Sequence, residues 1–239
     1  MDPGPGALVY SLNLHLNQLG LGAVLVSHSH LDHYGDAEVM IEAMTRGGTR
    51  KQGFLIGPRS VLQGNEDYGA AISSYHKGIV EATYEAKIGE TFRVRGMTIT
   101  PTKASHGDPD TVGFRFAFPG IGEIGYTSDT EYFNGISDYY KGVKLLILCV
   151  LRPRGLPWKG HISTDEAAKI VEEVKPEAAV ITHFGMRMIF ANPSKEARFV
   201  EKKTGIKTFA ATDGMEIDVA KGINVKKPGL SKSIGTFNR

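Results

Sequence analysis

Residues Ala23 to His33 read Ala-Val-Leu-Val-Ser-His-Ser-His-Leu-Asp-His, an apolar stretch that empties into four candidate metal ligands, His28, His30, Asp32 and His33. A short apolar run of this kind is a buried strand, and the His-Ser-His spacing sends both imidazoles to one side of the extended chain that leaves it. The Asp32-His33 pair turns back to face them, so one loop can serve two neighbouring ions. A helix expected over Gly35 to Thr45, with Ala37, Met40, Ile41 and Met44 on one face, completes the order strand, ligand loop, helix. Six of the eight histidines fall in contexts that fit one site; His15 and His76 do not.

Three further blocks follow in order: His106 in ASHGDPDTVGF, Asp129 in GYTSDT and His183 in VITHFG. With HSHLDH they resemble the metallo-β-lactamase fold superfamily over most of the chain. That resemblance implies an α/β architecture, a four-layer αββα sandwich, in which His28, His30 and His106 bind one metal ion, Asp32, His33 and His183 a second, and Asp129 bridges both. Ligands of nitrogen and oxygen alone suit Zn, Mn or Fe, with Zn the first expectation. Two cations bridged by a carboxylate lower the pKa of a shared water from about 15.7 toward about 7, which supplies hydroxide at neutral pH. The expected reaction class is therefore hydrolysis.

The bond that breaks is addressed by KGHIST, Lys159 to Thr164. In the RNase Z-like and cyclic-phosphate phosphodiesterase branches of the superfamily, a His in a similar HxT or HxS context stands beside the metals. The resemblance therefore gives His161 a catalytic part alongside Asp32: it stabilises phosphoryl oxygens or protonates the leaving oxygen. Cys149-Val150-Leu151-Arg152 stands where RNase Z enzymes usually carry a His-Glu-Ala-Thr-like segment, and no Gly- and Pro-rich arm for tRNA is evident, so the small phosphodiesterases are the nearer branch. Arg152 or Arg154 either meets a phosphate or lies on the surface. The expected substrate is a small phosphodiester or an RNA end. The alternatives are a carboxyl ester, thioester or lactone hydrolase, and a non-catalytic metal-binding or RNA-interaction module.

At 239 residues, 41% hydrophobic and 23% charged, the chain can bury a large core, and one domain is expected over residues 1–220. The lone cysteine, Cys149 in LLILCVL, reads as a buried strand thiol with no internal disulfide, which is compatible with a reducing cytoplasm. No apolar stretch is long enough to span a bilayer and no signal-peptide pattern is present, so no membrane partner is expected. Residues 219–239 carry five Lys and Arg and no acid, so the net +2 leaves about −3 on the rest. The expected basic tail, 221–239, is solvated, and the acidic body argues against tight binding to long nucleic acid.

Ser11, ahead of Leu12, Leu16 and Leu19, predicts a helix over 11–19. Strands are expected in TFRVRG, MTITPT, VGFRFAF, EIGYTS, Lys144–Leu151 and AAVIT, a capping box at Ser163–Glu166, and a final hairpin turned at Asp213-Gly214. Residues 59–80 have no readable period. Related proteins usually carry one or two strands ahead of the Asp-Pro-Gly segment, whereas here Asp2-Pro3-Gly4 follows Met1. An uncovered sheet edge is expected, explained by a short start or by a second copy of the chain that covers it.

Overall fold

The computed structural model describes residues 1–226. Its first half runs α1 (Ala7–Asn13), β1 (Ala23–Leu25), α2 (Leu31–Tyr34), α3 (Ala37–Thr45), β2 (Phe54–Gly57), α4 (Arg59–Leu62), α5 (Ser74–Ile79) and β3 (Ala82–Glu85). Three strands pair in parallel in the order β1-β2-β3. Side chains alternate along a strand, so Val24, Val26 and Leu55 turn outward onto Ala37, Ile41 and Met44 of α3, while Leu25 and Ile56 turn inward.

The second half holds the larger sheet: β4 (Phe92–Val94), β5 (Met97–Lys103), β6 (Val112–Phe118), β7 (Gly122–Tyr126), β8 (Leu145–Arg152), β9 (Ile162–Ser163), α6 (Thr164–Val174), β10 (Ala178–Thr182), α7 (Met186–Ala191), α8 (Pro193–Thr204) and β11 (Lys207–Ala210). Strand order is β11-β10-β8-β7-β6-β5-β4, with β9 beside β8. Ile99 and Phe114 meet Leu25 and Ile56 between the sheets. On the far side, Leu146, Leu148 and Val150 pack against α6 and α8 through Ala167, Ile170, Val171 and Val200. Helix, sheet, sheet, helix is the expected four-layer αββα sandwich.

The three-strand sheet is too narrow to cover the whole of the larger one. Leu145, Ala178 and Val180 are covered instead by Ile217, Val219 and Ile223, from the hairpin of β12 (Glu216–Asp218) and β13 (Asn224–Lys226). The expected hairpin at Asp213-Gly214 is therefore displaced: β11 pairs with β10, and the turn follows β12. Residues 221–226 of the expected basic tail lie in this hairpin, with Ile223 packed on the sheet, and 227–239 lie outside the described residues.

The capping box at Ser163 forms, with the Glu166 carboxylate accepting from the Ser163 backbone N–H at 2.7 Å, and it opens α6 where expected. The first helix does not start where its spacing predicts. It begins four residues early, at Ala7 after the left-handed Gly6, and Ser11 is buried with its hydroxyl donating to the Leu8 carbonyl at 2.7 Å. Strand β1 lies at the edge of its sheet. Among the described residues its Leu25 carbonyl accepts from the Asp2 backbone N–H at 2.8 Å, and a groove of about 500 Å³ runs beside it, lined by Ala23, Arg95, Met97 and Phe118. No helix among the described residues is long and apolar enough to cross a membrane.

Strand direction positions the site. Strands β5 and β7 both pair antiparallel with β6, so they run the same way, and β7, β8 and β10 are mutually parallel. The chain therefore leaves β5 for His106, β7 for Asp129, β8 for His161 and β10 for His183 at one end of the sandwich.

Candidate metal centre

The six histidines and two aspartates expected at one site do converge. His28 Nε2 and His106 Nε2 each lie 3.0 Å from His30 Nδ1. His33 Nε2 lies 3.0 Å from His183 Nε2, which is 3.2 Å from Asp32 Oδ2. Between the groups sits Asp129, whose Oδ2 is 3.4 Å from His183 Nε2, 3.5 Å from His161 Nδ1, 3.6 Å from His33 Nε2 and 3.8 Å from His106 Nε2. His161 belongs with these donors: its Nδ1 groups with His106 and Asp129. Asp32 reaches the second group only, and its side chain is 63% exposed.

Hydrogen bonds fix which ring nitrogen faces the centre. The Gly160 carbonyl can only accept, so His106 Nδ1 carries the proton in their 2.7 Å bond and Nε2 is left with a lone pair. Ser27 Oγ donates to Asp2 Oδ2 at 2.7 Å and therefore accepts from His28 Nδ1 at 3.0 Å. His33 Nδ1 donates to the same Asp2 oxygen at 2.9 Å. The Nε2 lone pairs of His28 and His106 thus converge on one point, with His30 Nδ1 3.0 Å from each, an arrangement that a cation satisfies. Donors about 2.1 Å from one ion stand roughly 3.0–3.4 Å apart at octahedral or tetrahedral angles, so these separations fit coordination. Asp129 Oδ1 also fits, being buried with no hydrogen-bond partner among the described residues. The donor set suits divalent cations of the Zn, Mn and Fe kind.

Backbone strain marks the same place. Ser128, just before Asp129, and His183 adopt left-handed φ of 54° and 58°. Gly160 also has positive φ, 77°, and a Cβ there would come within 3.2 Å of His106 Nδ1. Its N–H donates to Glu131 Oε2 at 3.0 Å, so the two peptide groups of this one residue join Glu131, the His106 ring and the loop that carries His161.

Several residues of the centre were not expected from the sequence. Asp2 is the foremost: beyond Ser27 Oγ and His33, its carboxylate accepts from the Ser27 N–H at 2.7 Å and the Tyr126 hydroxyl at 2.7 Å. Tyr68 contacts His30 Nε2 at 3.0 Å from the stretch that resisted reading. Asp108, fully buried, accepts from the Ser29 N–H at 2.9 Å and the Ser60 hydroxyl at 2.6 Å and so braces the ligand loop. The two histidines set aside do lie elsewhere. His76 bridges Glu38 and Glu42 of α3 at 3.0 and 3.2 Å, and His15 follows α1. Cys149 is a buried strand thiol, 3.5 Å from the Tyr126 hydroxyl, and burial pushes its pKa well up. Neither arginine enters the donor cluster: Arg152 stacks on Trp158 at 4.3 Å, and Arg154 pairs with Glu196 at 3.0 Å.

Burial lowers His28 to about 3 and His161 to about 4 from the ordinary 6.5. Burial acts on His33 in the same sense, but the Asp129 carboxylate 3.6 Å away and the hydrogen bond to Asp2 outweigh it and raise that ring to about 10. The sign of the pH dependence follows. Between pH 6.5 and about 4 the unfolded chain takes up protons at His28 and His161 that the folded chain refuses, so stability falls on acidification. Above 6.5 the His33 contribution is lost as pH rises toward 10. Chelator-treated protein should thus resist urea best near pH 6.5, with lower midpoints at pH 4.5 and 9. A midpoint that climbs steadily across that range would contradict these shifts.

Residues 1–184 match the family profile of the Beta-lactamase superfamily domain. An uncharacterized protein of Methanocaldococcus jannaschii, MJ1374, is 35% identical over 224 residues, 93% of this chain and 83% of that protein. A UPF0173 metal-dependent hydrolase of Methanopyrus kandleri, MK1542, is 30% identical over 189 residues, 75% of this chain and 74% of its own length. Among solved structures, the metallo-beta-lactamase fold protein YhfI of Bacillus subtilis superposes with a TM-score of 0.74 at 20% identity, covering 89% of this chain and 83% of that one.

Proposed function

The chain belongs to the β-lactamase superfamily domain family and is a metal-dependent hydrolase of that fold, and from this premise we propose that it cleaves phosphodiesters with two divalent cations. His28, His30 and His106 would hold one cation, Asp32, His33 and His183 the other, and Asp129 would be shared. Zinc is the first choice. When bound, such cations supply an acidified water as nucleophile and positive charge for the substrate's oxygens.

The chain's own groups do the rest. Asp2 and Ser27 hold the His28 and His33 rings by their Nδ1 protons, so their Nε2 atoms keep a fixed aim. His161, with its Nδ1 3.5 Å from Asp129 Oδ2, stands at the edge of the donor cluster, and its ring centroid is 4.8 Å from that of His106. With its pKa lowered by burial, the ring is neutral at pH 7. Of the two roles expected for it, hydrogen-bond donation to a phosphoryl oxygen therefore suits it better than delivery of a proton.

The single observation that carries the reading is this extra donor beside an otherwise complete ligand set. A carbonyl undergoing attack develops one oxyanion, which the cations can meet. A phosphodiester develops charge on non-bridging oxygens as well as on the leaving oxygen, and a further donor has work there. The test is metal analysis joined to a substrate panel of bis(p-nitrophenyl) phosphate, a 2',3'-cyclic nucleotide, a pre-tRNA and a lactone. Two equivalents of metal per chain and turnover of one or more phosphodiesters, with the lactone untouched, are expected; turnover of the lactone alone would overturn the proposal. That second reading, a carboxyl ester, thioester or lactone hydrolase, draws on the apolar side chains exposed next to the ligands, Leu31 between His30 and Asp32 and Met186 after His183.

A further inference from the structure

The segment around α1 buries the wrong residues for a solvent-facing helix. Ser11 is buried, whereas Val9, Tyr10, Leu12, Leu14, Leu16 and Leu19 are each 44–59% exposed. A surface helix normally does the reverse. The stretch is also devoid of formal charge: from Pro3 to Leu31 there is no Asp, Glu, Lys or Arg, in a chain that is 23% charged. Charge depletion with an exposed Tyr describes the core of an interface, and six half-exposed apolar side chains between Val9 and Leu19, interspersed at the surface only with the uncharged Asn13, Asn17 and Gln18 and with His15, are unusual on an unpartnered surface.

We propose that the strip from Val9 to Leu19 is the contact between two copies of this chain, related by a twofold axis. Three observations select that occupant. A neutral apolar strip carries no charge pattern for a different partner to complement, but it matches itself across a twofold. At about half exposure the six side chains present on the order of 600 Å², close to the ~800 Å² each partner contributes to a standard-size interface. A membrane surface is disfavoured because an interfacial helix relies on Lys and Arg against anionic headgroups, and this strip has none. Polar groups frame it as a rim should. Asp36 accepts from the Leu8 N–H at 3.0 Å, and Arg95 donates to the Gly20 carbonyl at 2.8 Å.

The strip also runs into the metal centre. Tyr10 and Leu14 line a groove of about 500 Å³ with Asp32, Gly4 and Asp213. Pairing of two strips sets the partner chain beside this groove, so each copy narrows the approach to the other's Asp32. The surface assigned here is α1 and the segment after it, distinct from the β1 edge at which a covering copy was expected.

Sedimentation equilibrium of the full chain tests the pairing. Wild type is expected near twice the 25.9 kDa chain mass at micromolar concentration. L12E/L16E is expected near the single mass, with at least a 100-fold weaker dimer and an unchanged circular dichroism spectrum. Hydrogen exchange on wild type needs no variant: amides of residues 8–19 should gain protection as concentration rises. A monomeric wild type at 100 µM, a dimer that survives L12E/L16E, or concentration-dependent protection confined to another surface would each overturn the assignment.

Discussion

Asp129→Asn is expected to lose metal and activity together, with turnover at least 10³-fold below wild type. The carboxylate stands within 4 Å of four imidazoles, of which His106 belongs to one ligand group and His33 and His183 to the other, and its Oδ1 is buried without a partner among the described residues. No other side chain occupies that position. The amide keeps the shape but removes the charge, so neither cation retains the anionic ligand that both would share. Folding should survive, because His33 keeps Asp2 as a partner at 2.9 Å. The measurement is metal content by mass spectrometry beside hydrolysis of bis(p-nitrophenyl) phosphate. A variant that held two equivalents of metal and turned over normally would remove Asp129 from the bridging position.

His161→Ala is expected to separate the two properties: metal retained, phosphodiester turnover lowered by roughly 10²- to 10⁴-fold, the range for one positioned donor or acid. The ring lies at the cluster's edge, and each ligand group has its imidazoles without it. Glu131→Ala provides a graded companion. It frees the Gly160 N–H that its carboxylate holds at 3.0 Å and so loosens Gly160, whose carbonyl receives His106 Nδ1–H and which precedes His161. A smaller loss than in His161→Ala, with metal still bound, is the expected outcome. Wild-type rates in His161→Ala would show that this histidine only lines the centre.

Much of the centre was legible because its donors are local punctuation. HSHLDH, His106, Asp129 and His183 each follow an apolar strand, and strands that run parallel deliver their C-terminal loops to one end whatever lies between. His161 was legible from its place ahead of a capping box. Asp2 was not, although it opens the Asp-Pro-Gly segment. Its partners Ser27, His33 and Tyr126 lie 25, 31 and 124 residues away, and nothing local in Asp-Pro-Gly announces four donors. Tyr68 sits where two short helices and a loop erase any period, so neither strand nor helix spacing pointed to it. The early start of α1 was missed for a physical reason: the leucine spacing that predicts a buried face here falls on exposed side chains.

His28, His30, Asp32 and His33 depend from the three-strand sheet, while His106, Asp129 and His183 depend from the larger one. Ions held by both sets would act as rivets through the seam of the sandwich. Separating the layers would then require surrendering the ions, so heat tolerance is expected to be coupled by mass action to the supply of free metal, and starvation for metal to loosen the body of the protein as well as silence it.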